Sequence, residues 1–308
     1  MDSPLARVIL ATLGGYLIIL LFLSVYDWIA EEYPRRPTIP PNSERIQHPF
    51  YHEEAAIALQ RFSLLTKFEK AAIQKNLQLS LISIEQWLKH LGQSNYQILC
   101  MGESHEESTR TFLAEEFFTK VSADVLLVEA TPKKLKRIIK RMEADRDYFP
   151  LLGSDIINIL HTVKDRNPDI RIHGIEETDK QAKKWHGQSN SRDQNISQNF
   201  WAKFEPGFRH IILFGALHCS NESNWLFDNI CNQASPKLKE GMLNVRVLGE
   251  HQNGPSEAFV YFLDEIKIKK RHFVIPDTRL LHPRIYELFP LLSRQILEKY
   301  GVLIVFRI

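Results

Sequence analysis

The chain has 308 residues, 44% of them hydrophobic and 25% charged, with a formal net charge of +2 at neutral pH. That balance is ordinary for a globular protein, and roughly 260 residues remain for one well-buried core once a terminal segment is set aside. A charge so near neutral, with no arginine-rich tract carrying interleaved aromatics, argues against a nucleic-acid partner.

The first predicted element is a membrane anchor. Val8 to Tyr26 is an uncharged run of nineteen residues, about 28 Å as a helix and close to the hydrocarbon thickness of a bilayer. A cleaved signal peptide has a shorter apolar region followed by a small-x-small site. Here the run ends instead in Tyr26-Asp27-Trp28, whose aromatics suit the interface. Residues 1–30 are therefore read as a single-pass anchor. Arg7 on one side and Arg35 and Arg36 on the other leave the side of the membrane undetermined. Residues 31–50 carry Pro34, Pro37, Pro40, Pro41 and Pro49 and read as a semi-rigid linker.

From 51 to 308 the texture is that of an α/β domain with a helical N-terminal extension. Ala56, Leu59, Phe62, Leu65 and Phe68 recur at spacings of three, and Ile84, Trp87, Leu88 and Leu91 mark a further helix. Beyond Tyr96, apolar runs suited to strands cover 97–101, 124–128, 170–175, 210–214, 244–248, 258–263 and 302–307. Helix-length stretches separate the first four, so the fold class expected is α/β with a mainly parallel central sheet flanked by helices. The later runs lie closer together and suit antiparallel pairing at an edge. Cys100, Cys219 and Cys231 are too few and too widely spaced to form a disulfide framework, and read as unreactive thiols.

Ligands of open parallel sheets bind beyond the carboxyl ends of the strands. Gly102-Glu103-Ser104-His105 follows the first predicted strand, Glu129 the second, Glu176 and Glu177 the third, and Gly215-Ala216-Leu217-His218 the fourth. Four neighbouring strands thus each deliver a carboxylate or an imidazole to one edge. Glu106 and Glu107 suit the first turn of the following helix. Glu129 precedes Ala130-Thr131-Pro132, where Thr131 is the better cap and Pro132 the first helical residue. Clustered imidazoles and carboxylates serve either general acid–base catalysis or metal binding. No H-E-x-x-H or G-x-S-x-G motif is present. Cys219 adjoins His218, but adjacent strand residues point to opposite faces, so it is not read as a nucleophile. Lys133 to Arg141 forms a basic amphipathic helix, read as a solvated face. His173 is read as a sheet residue, and 180–199 as a polar insertion or a loop over the site.

Gly102-Glu103-Ser104-His105, with an acidic helix after it, resembles the opening motif of the erythromycin esterase/ChaN/TIKI-TraB superfamily. Gly215-Ala216-Leu217-His218 resembles the second G-x-x-H motif of its TIKI and TraB branches. Arg192 to Asn199 is similar to the R-D-x-x-M-A-x-N segment of the esterase and ChaN branches, with Ile196 in place of methionine. The Glu103-Ser104-His105 spacing is nearer to ChaN and TIKI than to the esterases, and the last motif lacks the esterases' Asn-x-x-His form. The resemblance covers about residues 95 to 250. It implies an α/β fold with its site above the sheet, in a group that includes water-activating esterases, haem-iron-binding lipoproteins and membrane-tethered metalloproteases. Carried over, it makes Glu103, His105, Glu129, Arg192 and His218 the catalytic set. Haem iron would be held by His105 and His218, and a divalent metal by Glu103, His105 and His218.

The reading is a membrane-anchored hydrolase acting on an ester or peptide, with His105 as base, Glu103 and Glu129 orienting it, and His218 and Arg192 facing the oxyanion. The alternatives are a haem-iron or metal binder without turnover and a non-catalytic interaction module. The partners expected are a membrane, through residues 8–26, and a small-molecule or peptide ligand.

Overall fold

The computed structural model describes residues 51–105, 107–144, 154–184, 191–249, 255–270 and 272–306. The chain divides into two units, Met1–Pro49 and Phe50–Ile308. The expected anchor and linker lie outside the described residues, as do Glu106 and residues 185–190. No helix among the described residues is long and apolar enough to cross a membrane.

Two helices open the second unit. Helix α1 (Tyr51–Ser63) and α2 (Lys67–Ser80) meet at a turn closed by a capping box at Thr66, in which threonine and Glu69 satisfy each other's backbone N–H. The break explains why Phe68, in step with the apolar residues of α1 in the sequence, stands in solvent. Helix α3 (Ile84–Gln93) is capped by Ser83 and buries Trp87, Leu88 and Leu91.

A seven-stranded sheet follows, in the order β3-β2-β4-β1-β5-β7-β6. Its strands are β1 (Ile98–Glu103), β2 (Val125–Val128), β3 (Arg171–Gly174), β4 (His210–Gly215), β5 (Met242–Leu248), β6 (Phe273–Ile275) and β7 (Val302–Val305). All neighbouring pairs are parallel except β6 with β7. The central strands are apolar on both faces, as a sheet covered on both sides demands. Cys100, Val125, Leu127, Ile212 and Phe214 join the core on one face, and Leu99, Met101, Leu126, Val128, Ile211 and Leu213 that on the other.

Crossover helices cover both faces. They include α4 (Glu107–Thr111), which runs through a π-helical segment Phe112–Phe117, α5 (Pro132–Ala144), α6 (Ser154–Arg166), α7 (Asp179–Lys184) and α8 (Ser191–Trp201). After β4 come a 3-10 turn (Ala216–Cys219), α9 (Leu226–Gln233) and α10 (Pro236–Glu240), and α11 (Pro255–Glu265) follows β5. Helix α5 buries Leu135 and Met142 and exposes Lys133, Lys134, Lys136, Arg137 and Lys140.

Two expectations need correction. The run 258–263 is helical, within α11, and not a strand. Ala258, Phe259, Val260, Phe262 and Leu263 are all buried, so an apolar stretch without visible periodicity was a helix enclosed nearly all round, introduced by Pro255. The strand at that edge is Phe273–Ile275, whose three residues are too few to stand out. The second correction concerns the cysteines. Cys100 and Cys219 form a disulfide. They lie 119 residues apart, too far for any spacing rule. The turn after β4 folds back over β1, close enough that a Cβ on Gly102 would lie 3.0 Å from Ala216 and 3.2 Å from Cβ of Cys219.

Candidate functional site

Strand β1 ends in Glu103, and the chain then reverses at His105, which adopts φ 57°, a conformation rare for a residue with a side chain. One carboxylate holds this turn. Glu103 Oε2 accepts the His105 backbone N–H at 2.7 Å and the Thr109 hydroxyl at 3.3 Å. Glu103 Oε1 lies 2.5 Å from His105 Nδ1. Arg110 lies against the same carboxylate, Nε to Oε2 3.6 Å. Glu103 is buried, whereas the His105 side chain is 53% exposed. The 2.5 Å contact with Glu103 calls for Nδ1–H as its donor, although Arg110 Nη2 also lies 3.3 Å from Nδ1, and Nε2 then carries the lone pair on the side of Glu129, above Gly215. The bond to Glu103 raises the pKa of His105 above its ordinary 6.5, outweighing the opposing effect of burial.

Glu129 follows β2 and sits between the two histidines of the site. Its Oε2 is 3.9 Å from His105 Nε2, and its Oε1 is 3.9 Å from His218 Nε2. The Gly215 backbone N–H donates to Oε2 at 2.8 Å, and Arg192 Nη2 to Oε1 at 2.9 Å. Burial alone would raise its pKa, but His218, the Gly215 N–H and Arg192 together hold it below the usual carboxylate value. Gly215, at the end of β4, is the floor of this cluster. A Cβ there would stand 2.9 Å from His105 Nε2 and 3.4 Å from Glu129 Oε2.

The third part comes from the first turn of α8. Arg192 spans Glu176 with two donors, Nε to Oε1 at 3.0 Å and Nη2 to Oε2 at 2.5 Å. Its Nη1 lies 3.1 Å from His218 Nε2. Desolvation would lower the guanidinium's pKa, but Glu176 and Glu129 raise it. Asp193, the next residue, is buried and lies 2.6 Å from His218 Nδ1. A guanidinium only donates, so His218 Nε2 must accept from Arg192 and Nδ1–H must donate to Asp193. Asn195 holds Glu177 at 2.6 Å, and Asn199 donates to the carbonyls of Ile175 and Glu176. The conformation of the segment after β3 is thereby set by α8.

Glu103, His105, Glu129, Arg192 and His218 thus form one continuous set of contacts above β2, β4 and β1. The sequence reading of these residues omitted Asp193, Glu176 and Thr109. The signal for Asp193 was present, since it adjoins Arg192 within the quoted segment. Glu176 stands at a strand end, which by itself assigns it no role. Thr109 had no signal, because it acts only as a hydroxyl within reach of a buried carboxylate. Cys219 is bonded to Cys100 and carries no thiol, while free Cys231 is half-buried, with burial pushing its pKa to about 11. His173 is half-buried in β3, with its pKa lowered by burial.

A divalent metal does not fit this donor set as arranged. Among the described residues, no three His, Cys, Asp or Glu side chains are disposed to hold a metal ion. Positive charge at the centre is supplied by Arg192, which also occupies His218 Nε2. The same contact occupies Nε2 of the buried His218, whereas the His105 side chain is half exposed. No protein-family model matches the chain, and no curated protein matches it.

Proposed function

We propose that this protein is a membrane-tethered hydrolase that uses activated water on an ester or amide carbonyl. One observation carries the reading: a buried carboxylate fixes the tautomer of an exposed imidazole and leaves its Nε2 open beside a second carboxylate. In the proposed reaction His105 Nε2 takes a proton from water as the oxygen attacks the carbonyl, and Glu103 stabilises the imidazolium that forms. The same imidazolium then returns the proton to the leaving oxygen or nitrogen. Arg192 faces the developing oxyanion. Asp193 and His218 act on Arg192 by fixing where its Nη1 points, so the part expected of His218 moves from touching the oxyanion to positioning the group that does. The resemblance of the three motifs to the superfamily supports the same reading.

The test is hydrolysis of a panel of aryl esters and short peptides by the full chain and by His105→Ala. The variant should fold and lose about 10²- to 10⁴-fold in kcat/KM, the usual contribution of a general base. Unchanged turnover in His105→Ala sinks the proposal. The second reading, a haem-iron binder without turnover, draws its support from the exposed Nε2 of His105 alone. It requires a Soret band on haem titration that His105→Ala abolishes and His218→Ala leaves intact. Neither turnover nor binding at these residues would leave the interaction-module reading.

For location, the Cys100–Cys219 bond favours an oxidising compartment. We therefore propose that the domain lies on the non-cytoplasmic side of the membrane. Protection of the domain from added protease in right-side-out vesicles or spheroplasts would overturn that placement.

A further inference from the structure

The turn between α1 and α2 holds two large apolar side chains in solvent, Leu64 at 82% exposure and Phe68 at 85%. Their neighbours behave differently, since Phe62 and Leu65 pack against the core. This turn is built and fixed. Leu64 N–H donates to Arg61 O at 3.2 Å, Thr66 and Glu69 close the capping box, and Lys70 Nζ donates to Ser63 O at 2.6 Å. Exposed Lys67 lies between the two apolar residues in sequence, with Arg61 before them and Lys70 after. Arg61 is held by the Glu287 carbonyl, Lys70 by that of Ser63 and Glu69 by the cap and Arg284, so exposed Lys67 is the cation set between the two apolar side chains.

Two protruding side chains are far too little for a protein partner, because a stable interface buries about 800 Å² on each side. They suit a lipid interface, where apolar groups enter the acyl boundary while long cationic side chains stay with the phosphates. A weak contact of this kind becomes effective once the chain is already held at the surface, through high effective concentration. The uncharged run Val8–Tyr26 provides such a hold in the tethered reading, and α1 and α2 are the first described elements after it.

We infer that the α1–α2 tip is an interfacial membrane contact, with Leu64 and Phe68 entering an anionic bilayer and Lys67 at the headgroups. The inference rests on the membrane-tether reading.

The experiment uses the full chain in a Cys231→Ser background, with an environment-sensitive fluorophore on Phe68→Cys, on Leu64→Cys, or on Leu217→Cys as a reference near the site. Each is reconstituted in phosphatidylcholine vesicles with or without phosphatidylserine, together with lipids carrying a quencher high in the acyl chain. Labels at 64 and 68 should shift to the blue and be quenched, and the label at 217 should behave as in water. Lys67→Gln should weaken the phosphatidylserine-dependent part of the quenching about fivefold. If the chain floats with the vesicles while labels 64 and 68 stay aqueous, the tip inference falls and the tether stands. If the chain does not float, the tether reading falls and takes this inference with it. Self-quenching that grows with protein-to-lipid ratio would mean that a second copy covers the tip, which also overturns it.

Discussion

His105 occupies left-handed backbone space, which costs a non-glycine residue about 1–3 kcal/mol. Glu103 offsets that cost by accepting from both the backbone N–H and the ring of the same residue. The arrangement has a kinetic signature. A base must be unprotonated, so kcat/KM should rise with pH through a value above the ordinary 6.5 of histidine. In Glu103→Gln that limb should move down toward 6.5, together with a loss of rate, as pH-rate profiles would show. A limb that stays in place would detach Glu103 from the base. Gly215→Ala tests the same space from below. Its Cβ would stand within 2.9 Å of His105 Nε2, so activity should collapse while stability falls by about 1–3 kcal/mol, the usual range for overpacking. Thermal unfolding and kinetics on one preparation separate the two effects.

Helix α8 is the element that makes the site more than a pair of strand ends. Its first turn supplies Arg192 to Glu129 and Glu176 and Asp193 to His218, and its later residues fix the segment after β3. Asp193→Asn should therefore cost about 10- to 100-fold in kcat, the worth of a hydrogen bond to a charged group. KM should change little, which distinguishes lost positioning from lost binding. Arg192→Lys should cost at least as much, because a single ammonium cannot span Glu176, Glu129 and His218 together. At this scale the sequence was partly legible. Glu103, Glu129 and His218 could be found because each directly follows, or closely trails, an apolar strand. Asp193 stood in the quoted segment beside Arg192, but its partner could not be read, because that depends on where a helix start lands relative to a turn formed after a different strand. Likewise 258–263 was misread because burial of every residue but Tyr261 hides the periodicity that marks a helix, and Phe273–Ile275 was missed because three residues are too short to display a pattern.

For the whole molecule, Glu129 contributes a dependence of stability on pH. The depressed pKa of Glu129 means that the unfolded chain binds its proton first, so the stability this group contributes is present above 4.5 and is lost as pH falls through the folded value. Melting temperature should drop below pH 4.5 more steeply in the wild type than in Glu129→Gln. Equal slopes would mean that the network carries no linkage. The disulfide acts at the same scale, closing a loop of 119 residues. Reduction under mild denaturant should cost about 2–4 kcal/mol, read as a fall in denaturation midpoint relative to the oxidised chain. The order β2-β4-β1 also has a consequence in time. Strand β4 lies between two strands made well before it. During synthesis Glu103 and Glu129 emerge as separate carboxylates, without the Gly215 N–H or the imidazole of His218. A nascent chain that ends before His210 holds the Glu103–His105 pair without Glu129 beside it, because the strand that joins β1 to β2 is made after both and must be inserted between them.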